Sequence, residues 1–399
     1  MINQGLVLSG GGARAGYQVG ALQALAEILG SGATPFNVLA GLSAGAINCI
    51  TLAAGADNFQ ASVAKLYDTW MALEPHSVYR TDAGELASLG ARWLKDLTTG
   101  GLLGKSQSNY LLDTQPLRSL LTSRLDTTRI PEHIAKGLLR GVAISATNYA
   151  TSTIVTFYDG ETSLTPWMRN ERIAVRERLT VEHVMASAAI PMFFPPVTIS
   201  GRTFGDGGLR MTAPVSPAIH LGADKILAIG IRHARTLDET LTLNRATGTQ
   251  AVSAAQIAGV LLNSLFLDSL DDDISRLQRV NRTLGFVPED ARQKNPDLLR
   301  RIPTLLLSPS QDLGHLAADE YDKFPGMLRH LLRGIGATGE SGWDLMSYLA
   351  FQPAYIGKLV ELGYRDTLKR RPEIEAFFEA PADGITASAF AATPVTTER

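Results

Sequence analysis

The chain has one cysteine, Cys49, in 399 residues. No intrachain disulfide can form, which excludes a small secreted domain stapled by disulfides and favours a reducing, cytoplasmic setting. Excess charge of either sign is also lacking. Lys and Arg number 37 against 39 Asp and Glu, for a net charge of -2, so nothing global draws the protein to a phosphate backbone and a nucleic-acid partner is not expected. Charged residues make up only 19% of the chain, against about 25% in an average soluble domain. No charge-free apolar run of about 18 residues is present, and the N-terminus has neither a basic start nor a long apolar stretch, so neither a membrane span nor a secretory leader is expected. A metal-ligand pattern is missing too. The seven histidines show no diagnostic spacing, and Asp271, Asp272 and Asp273 lack the alternation and glycine of a calcium loop, so they suit a helix cap or a solvated run better.

What is present is 45% hydrophobic, a composition that excludes intrinsic disorder. The length allows one large domain or two, either with ample core. Gly5 to Leu8 forms a short apolar run that meets Gly10, Gly11 and Gly12. Val19, Leu22, Leu25, Ala26 and Leu29 then recur at helical spacing. A second strand over Phe36–Ala40 leads through Gly41–Gly45 into an apolar helix from Ala46 to about Ala54. That order is the signature of parallel strands with a helical crossover. Further on, Gly141–Ser145 with Thr153–Tyr158, and Val197–Ile199 with Arg202–Phe204, read as hairpins. Val181–Ala189 reads as a short helix, and Lys225–Ile231 and Thr304–Leu307 as buried strands. The stretch between about Ala83 and Gln115 is broken by glycines and is expected to gate access as a lid.

Three segments carry chemistry. Gly41, Leu42, Ser43, Ala44 and Gly45 lie between a strand and a helix, where G-x-S-x-G builds a sharp turn that lifts a serine hydroxyl clear of the backbone. Gly10, Gly11 and Gly12, followed by Ala13 and Arg14, open the preceding helix. Their N–H groups can converge on an anion without interference from side chains. Arg14 could fix this loop or meet a substrate phosphate. The spacing also satisfies the loose dinucleotide form, but the second strand ends in Gly41, Leu42 and Ser43 where that fold needs an acidic residue for the ribose. A phosphate-binding P-loop fails because Tyr17 stands where its lysine must. Asp206, followed by Gly207 and Gly208, closes the second hairpin at a point where another backbone can approach. An Asp-Gly pair alone is far more often a turn than a base.

With these three elements in order, the chain resembles the patatin-like phospholipase family, whose G-G-G-x-R loop, G-x-S-x-G elbow and D-G-G/A motif match Gly10 to Arg14, Gly41 to Gly45 and Asp206 to Gly208. The segment Ala186–Pro196 is similar to that family's small-residue helix and proline-rich turn. The resemblance implies a three-layer α/β/α sandwich with a mostly parallel central sheet, spanning residues 5–220. A mostly helical extension over 221–380 is expected to pack on it, and residues 381–399, rich in Ala, Thr and Pro, are expected to form a disordered tail. It further implies a serine lipid acyl hydrolase of phospholipase A or lysophospholipase type, with no metal and no cofactor. In that scheme Ser43 is the nucleophile, Asp206 its base, and Gly10, Gly11, Gly12 and Ala44 the oxyanion donors. The expected partner is a phospholipid or other acyl lipid, met through peripheral membrane contact. An acyltransferase or thioesterase using the same serine, or a catalytically silent binding module, would share these motifs. The helix around Ile257, Leu261, Leu265 and Phe266 could dock on a bilayer, although an apolar stripe is usually core. Arg169, Arg172, Arg176 and Arg178, interleaved with Glu171 and Glu177, read as a solvated face.

Overall fold

The structure is a computed structural model that describes residues 2–82, 110–246, 252–288, 300–338 and 342–381, with a few single positions between 84 and 98. The expected tail and most of the expected lid lie outside the described residues. Eight strands of a ten-stranded sheet run in the order β10-β9-β1-β2-β3-β4-β6-β5, and the other two lie off this path, β8 pairing with β3 and β7 with β8. Its strands are β1 (Gln4–Leu8), β2 (Val38–Leu42), β3 (Gly141–Asn148), β4 (Thr153–Gly160), β5 (Met168–Arg169), β6 (Arg172–Arg176), β7 (Val197–Ile199), β8 (Arg202–Asp206), β9 (Lys225–Ile229) and β10 (Thr304–Leu307). β10, β9, β1, β2 and β3 pair in parallel with one another in that order. Antiparallel pairing begins at the β3–β4 hairpin.

The helices used below are α1 (Gly16–Leu29), α2 (Ala44–Ala54), α3 (Phe59–Met71), α4 (Gln115–Arg124), α5 (Val181–Ser187), α6 (Ala254–Phe266), α7 (Asp268–Leu284), α8 (Trp343–Leu349), α9 (Pro353–Lys369) and α10 (Arg371–Glu379). They cover both faces of the sheet, which is why its central strands are apolar throughout rather than alternating with polar residues. Leu6, Leu8, Leu39, Leu227 and Ile229 face a core shared with α1, α2 and α9. Val7, Val38, Ala40, Ile226 and Ala228 face a second core closed by Leu270 and Ile274 of α7. The chain is therefore a mixed α/β protein with a central sheet flanked by helices, as expected.

Three details depart from the expected boundaries. β2 begins at Val38 rather than Phe36, because Phe36 packs edge-on against Phe59 and Phe378 before parallel pairing starts at Gly5 and Val38. β9 ends at Ile229, and Ile231 turns away to pack against Gly11. The sheet also crosses the boundary expected at 220, since β9 pairs with β1 and β10 pairs with β9. The contribution past that point includes two parallel strands as well as helices. Asp273 is neither a cap nor solvated. Its carboxylate accepts the Val215 N–H at 3.0 Å and ties α7 to the loop before residue 216. Arg176 likewise leaves the expected solvated face, donating to the carbonyls of Gly160, Glu161 and Leu164. No described helix is long and apolar enough to cross a membrane.

Candidate active site

One strand exchange creates the site. β2 pairs with the first half of β3 and stops with Leu42 opposite Ser145. Beyond that point β8 takes over the pairing, running the other way, with Asp206 opposite Ala146. The ends of β2 and β8 thus meet head-on beside β3. The next residue after β2 is Ser43, and the last residue of β8 is Asp206.

Ser43 has φ 52° and ψ -127°, a conformation that β-carbon-bearing residues rarely adopt and that costs on the order of 1–3 kcal/mol. Flanking small residues permit it. A Cβ at Gly45 would lie 2.4 Å from the Leu8 and Ser9 carbonyl oxygens, and one at Gly41 would lie 2.6 Å from the Cys49 Cβ. The strained serine is held by its own backbone: its N–H donates to Ser187 Oγ at 3.0 Å, and Ser187 Oγ donates to the Ser145 carbonyl at 2.7 Å. Its hydroxyl donates to Asp206 Oδ2 at 2.5 Å.

Asp206 is fully buried. Its other oxygen accepts the Gly208 N–H at 2.8 Å, and Thr147 donates to its carbonyl at 2.9 Å. Burial pushes its carboxyl up to about 7, and the bonds from Ser43 and Gly208 pull against that shift without cancelling it. Both of those donors are neutral. A carboxylate at such a value can take a proton from a hydroxyl far better than one at about 3.9. Gly207 and Gly208 are required sterically, because Cβ atoms there would come within 2.3 Å of the Ser145 carbonyl oxygen and 2.6 Å of the Phe266 ring.

The glycine loop lies on the other side of the serine. Gly10 packs so tightly that an added Cβ would stand 2.9 Å from the Ser43 Cβ. Gly11 and Gly12 have φ of 155° and 54°, and a Cβ on Gly12 would lie 2.3 Å from the Tyr348 carbonyl oxygen. Gly12, Ser43 and Ala44 border one apolar cavity, whose walls include Trp70 of α3, Leu117 and Leu121 of α4, Ile190, Phe194 and Phe351. α2 starts at Ala44, so its first-turn N–H groups and the positive end of its dipole face this space. Trp70 is oriented from beneath by a polar chain: it donates to Asn48, Asn48 donates to Gln18, and Gln18 donates to the Ser9 carbonyl.

The structure thus brings Ser43, Asp206, Gly12 and Ala44 together and places Gly10 in contact with the serine. Arg14 points elsewhere. It is not among the residues bordering the cavity, and its guanidinium is buried against Ser347, Asn263 and Asp344. The two histidines nearest Asp206 in sequence are engaged away from Ser43. His183 Nδ1 accepts the Thr180 N–H and the ring packs on Phe157; His220 stacks on Trp167. Sequence reasoning missed the cavity walls and Ser187. The small-residue segment Ala186–Pro196 was the signal for Ser187, whereas nothing local marks Leu117 or Phe351. The stripe on α6 is split. Phe266 is buried, but Ile257, Val260 and Leu261 are 53%, 65% and 60% exposed, so the core reading fails for its outer face.

A family model described as Patatin-like phospholipase matches residues 6–219, more than half of the chain. No curated protein matches. Among solved structures, the crystal structure of VipD from Legionella pneumophila is similar over 93% of this chain and 67% of that one, at 14% identity and a TM-score of 0.36.

Proposed function

Taking as premise that the chain belongs to the patatin-like phospholipase family, we propose that it is a serine lipid acyl hydrolase working through a Ser43/Asp206 dyad. The observation that carries this reading is the 2.5 Å bond from the Ser43 hydroxyl to a buried carboxylate whose partners are all neutral. Ser43 Oγ attacks the ester carbonyl carbon and its proton passes to Asp206. The resulting oxyanion is held by N–H groups of the glycine loop and the start of α2. When the C–O bond breaks, Asp206 returns that proton to the departing alcohol, leaving an acyl-enzyme. A water molecule then gives a proton to Asp206 and attacks the acyl carbon; as the bond from that carbon to Ser43 Oγ breaks, Asp206 passes the proton to Oγ, which releases the fatty acid and restores both Ser43 and the carboxylate.

The apolar cavity suits an acyl chain. Every named wall residue is hydrocarbon or aromatic, so a fatty acyl group would gain roughly 0.8 kcal/mol per buried methylene. Contact with a lipid surface belongs to the same reading. α6 carries no charged residue, its outer face exposes Ile257, Val260 and Leu261, and its inner end places Phe266 against Gly10 and Gly208. The experiment is labelling with an alkyl fluorophosphonate combined with product analysis on phospholipid, lysophospholipid and short-chain esters. Wild type should form an adduct on Ser43 and release fatty acid, and Ser43→Ala should do neither. A folded wild type that fails to label would end the proposal.

A further inference from the structure

Arg14 is 2% exposed, and its donors are committed to residues of the C-terminal extension. Nε donates to Ser347 Oγ at 2.7 Å, Nη1 to Asn263 Oδ1 at 3.2 Å, and Nη2 to Asp344 Oδ1 at 2.9 Å. The guanidinium carbon lies 4.2 Å from the centre of the Tyr348 ring, and the Tyr348 hydroxyl donates to the same Asn263 oxygen at 2.9 Å. Ser347 in turn donates to the Asp344 carbonyl at 2.5 Å. These partners sit on α8 and α6, more than two hundred residues away in sequence.

The same helix touches the loop a second time. The Tyr348 carbonyl oxygen presses on Gly12 so closely that no side chain would fit, and the Arg14 N–H donates to the Gly11 carbonyl at 3.1 Å. α8 therefore grips the turn at both ends, by backbone contact at Gly12 and by the side chain of Arg14. Asp344 forms an ion pair with this guanidinium. A buried guanidinium deprived of its carboxylate is far less stable in place than one that keeps it, and any shift of Arg14 is transmitted to the adjoining peptide N–H groups.

We infer that Asp344 is a positioning residue: through Arg14 it holds the Gly11–Gly12 turn in register with Ser43, which makes α8 and α6 working parts of the oxyanion site. This rests on the dyad reading of Ser43 and Asp206. It also assigns Arg14 to the loop rather than to a substrate phosphate. Oxyanion donors act only when aimed at the developing charge, so misplacement by a fraction of an ångström is felt in turnover more than in binding.

The test uses the full chain and Asp344→Asn, which preserves the shape and the accepting oxygen while removing the charge. Its kcat on a short-chain ester, and its rate of phosphonylation at Ser43 by the fluorophosphonate, should fall about 10- to 100-fold with KM little changed. Asp344→Glu should recover part of the loss, and the pH midpoint set by Asp206 should stay where it is. Asn263→Ala, at a half-buried position, should show a smaller loss of the same kind and carries the test alone if Asp344→Asn does not fold. Wild-type kcat and labelling in either folded variant would overturn the inference. So would a loss that vanishes once rates are divided by the folded fraction. A folded wild type that does not label at all would instead overturn the dyad reading, and the positioning role with it.

Discussion

Two ionisable side chains flank the glycine loop, both sealed from water, and the protein treats them in opposite ways. Arg14 is surrounded by acceptors, one of them a carboxylate, and sits over an aromatic face. Asp206 has no such compensation: the groups that donate to its carboxylate, the Ser43 hydroxyl and the Gly208 N–H, are both neutral. A paired buried charge becomes a fixed structural part. An uncompensated one is driven toward its neutral form until it titrates in the working range, which is what a general base for a hydroxyl requires.

The largest effect expected on this contrast comes from removing the reactive side. Ser43→Ala should abolish ester turnover, a loss on the order of 10⁶-fold in serine enzymes whose nucleophile is removed. Asp206→Asn should be nearly as severe, because an amide cannot accept the proton. Steady-state assays on folded protein decide this, and turnover above a few per cent in Ser43→Ala would dissolve the comparison. Next comes the loop between the two groups. Gly12→Ala places a carbon against the Tyr348 carbonyl and should lower kcat by about 10²- to 10³-fold, the typical worth of one oxyanion donor. A rise in KM with unchanged kcat would make the loop a binding element only.

The pH dependence sharpens the comparison further. Activity should rise as pH increases through about 7, the value to which burial pushes Asp206, because the ionised form is the base. Stability should move in the opposite sense. In the unfolded chain a carboxyl titrates near about 3.9, so between there and about 7 the folded state holds a proton that the unfolded state has lost. The penalty for ionising buried Asp206 therefore grows with pH across that window and is constant above it. Asp206→Asn escapes the penalty. Its stability advantage over wild type in urea unfolding should widen from pH 4 to pH 7, with an upper bound of about 4 kcal/mol for a carboxyl pushed up to about 7. An advantage that stays flat would show that the carboxyl is not raised.

The smallest effect is expected at the histidines. His183→Gln and His220→Gln should leave turnover of the folded protein within a small factor of wild type, since one ring caps α5 and packs on Phe157 while the other stacks on Trp167. A loss at either comparable to Ser43→Ala would turn Asp206 into the orienter of an imidazole and replace the dyad with a triad.

The local chemistry was legible in the residue order, because strained turns and close approaches demand particular residue types. Gly41 to Gly45 admit a serine at positive φ only with small neighbours, and Gly10 to Gly12 and Asp206 to Gly208 declare that backbones come close there. Short apolar runs bounded by turn residues marked β1, β3, β4 and β10, with glycine near the first three and Pro303 and Pro309 around the last. What depended on partners could not be read in the same way. Nothing near Arg14 says that its acceptors are Asn263, Asp344 and Ser347, and nothing near Leu117 or Phe351 says that they wall a cavity beside Ser43. The outer face of α6 looked like core because helical periodicity records an apolar stripe and not what covers it. Sequence by itself determined the nucleophile's turn, the glycines and the acidic hairpin end, each a matter of short-range sterics. Only the tertiary structure decided that β8 replaces β2 beside β3 and so brings Asp206 onto Ser43. It alone raised that carboxyl, because desolvation depends on everything packed around a group and not on its neighbours in the chain.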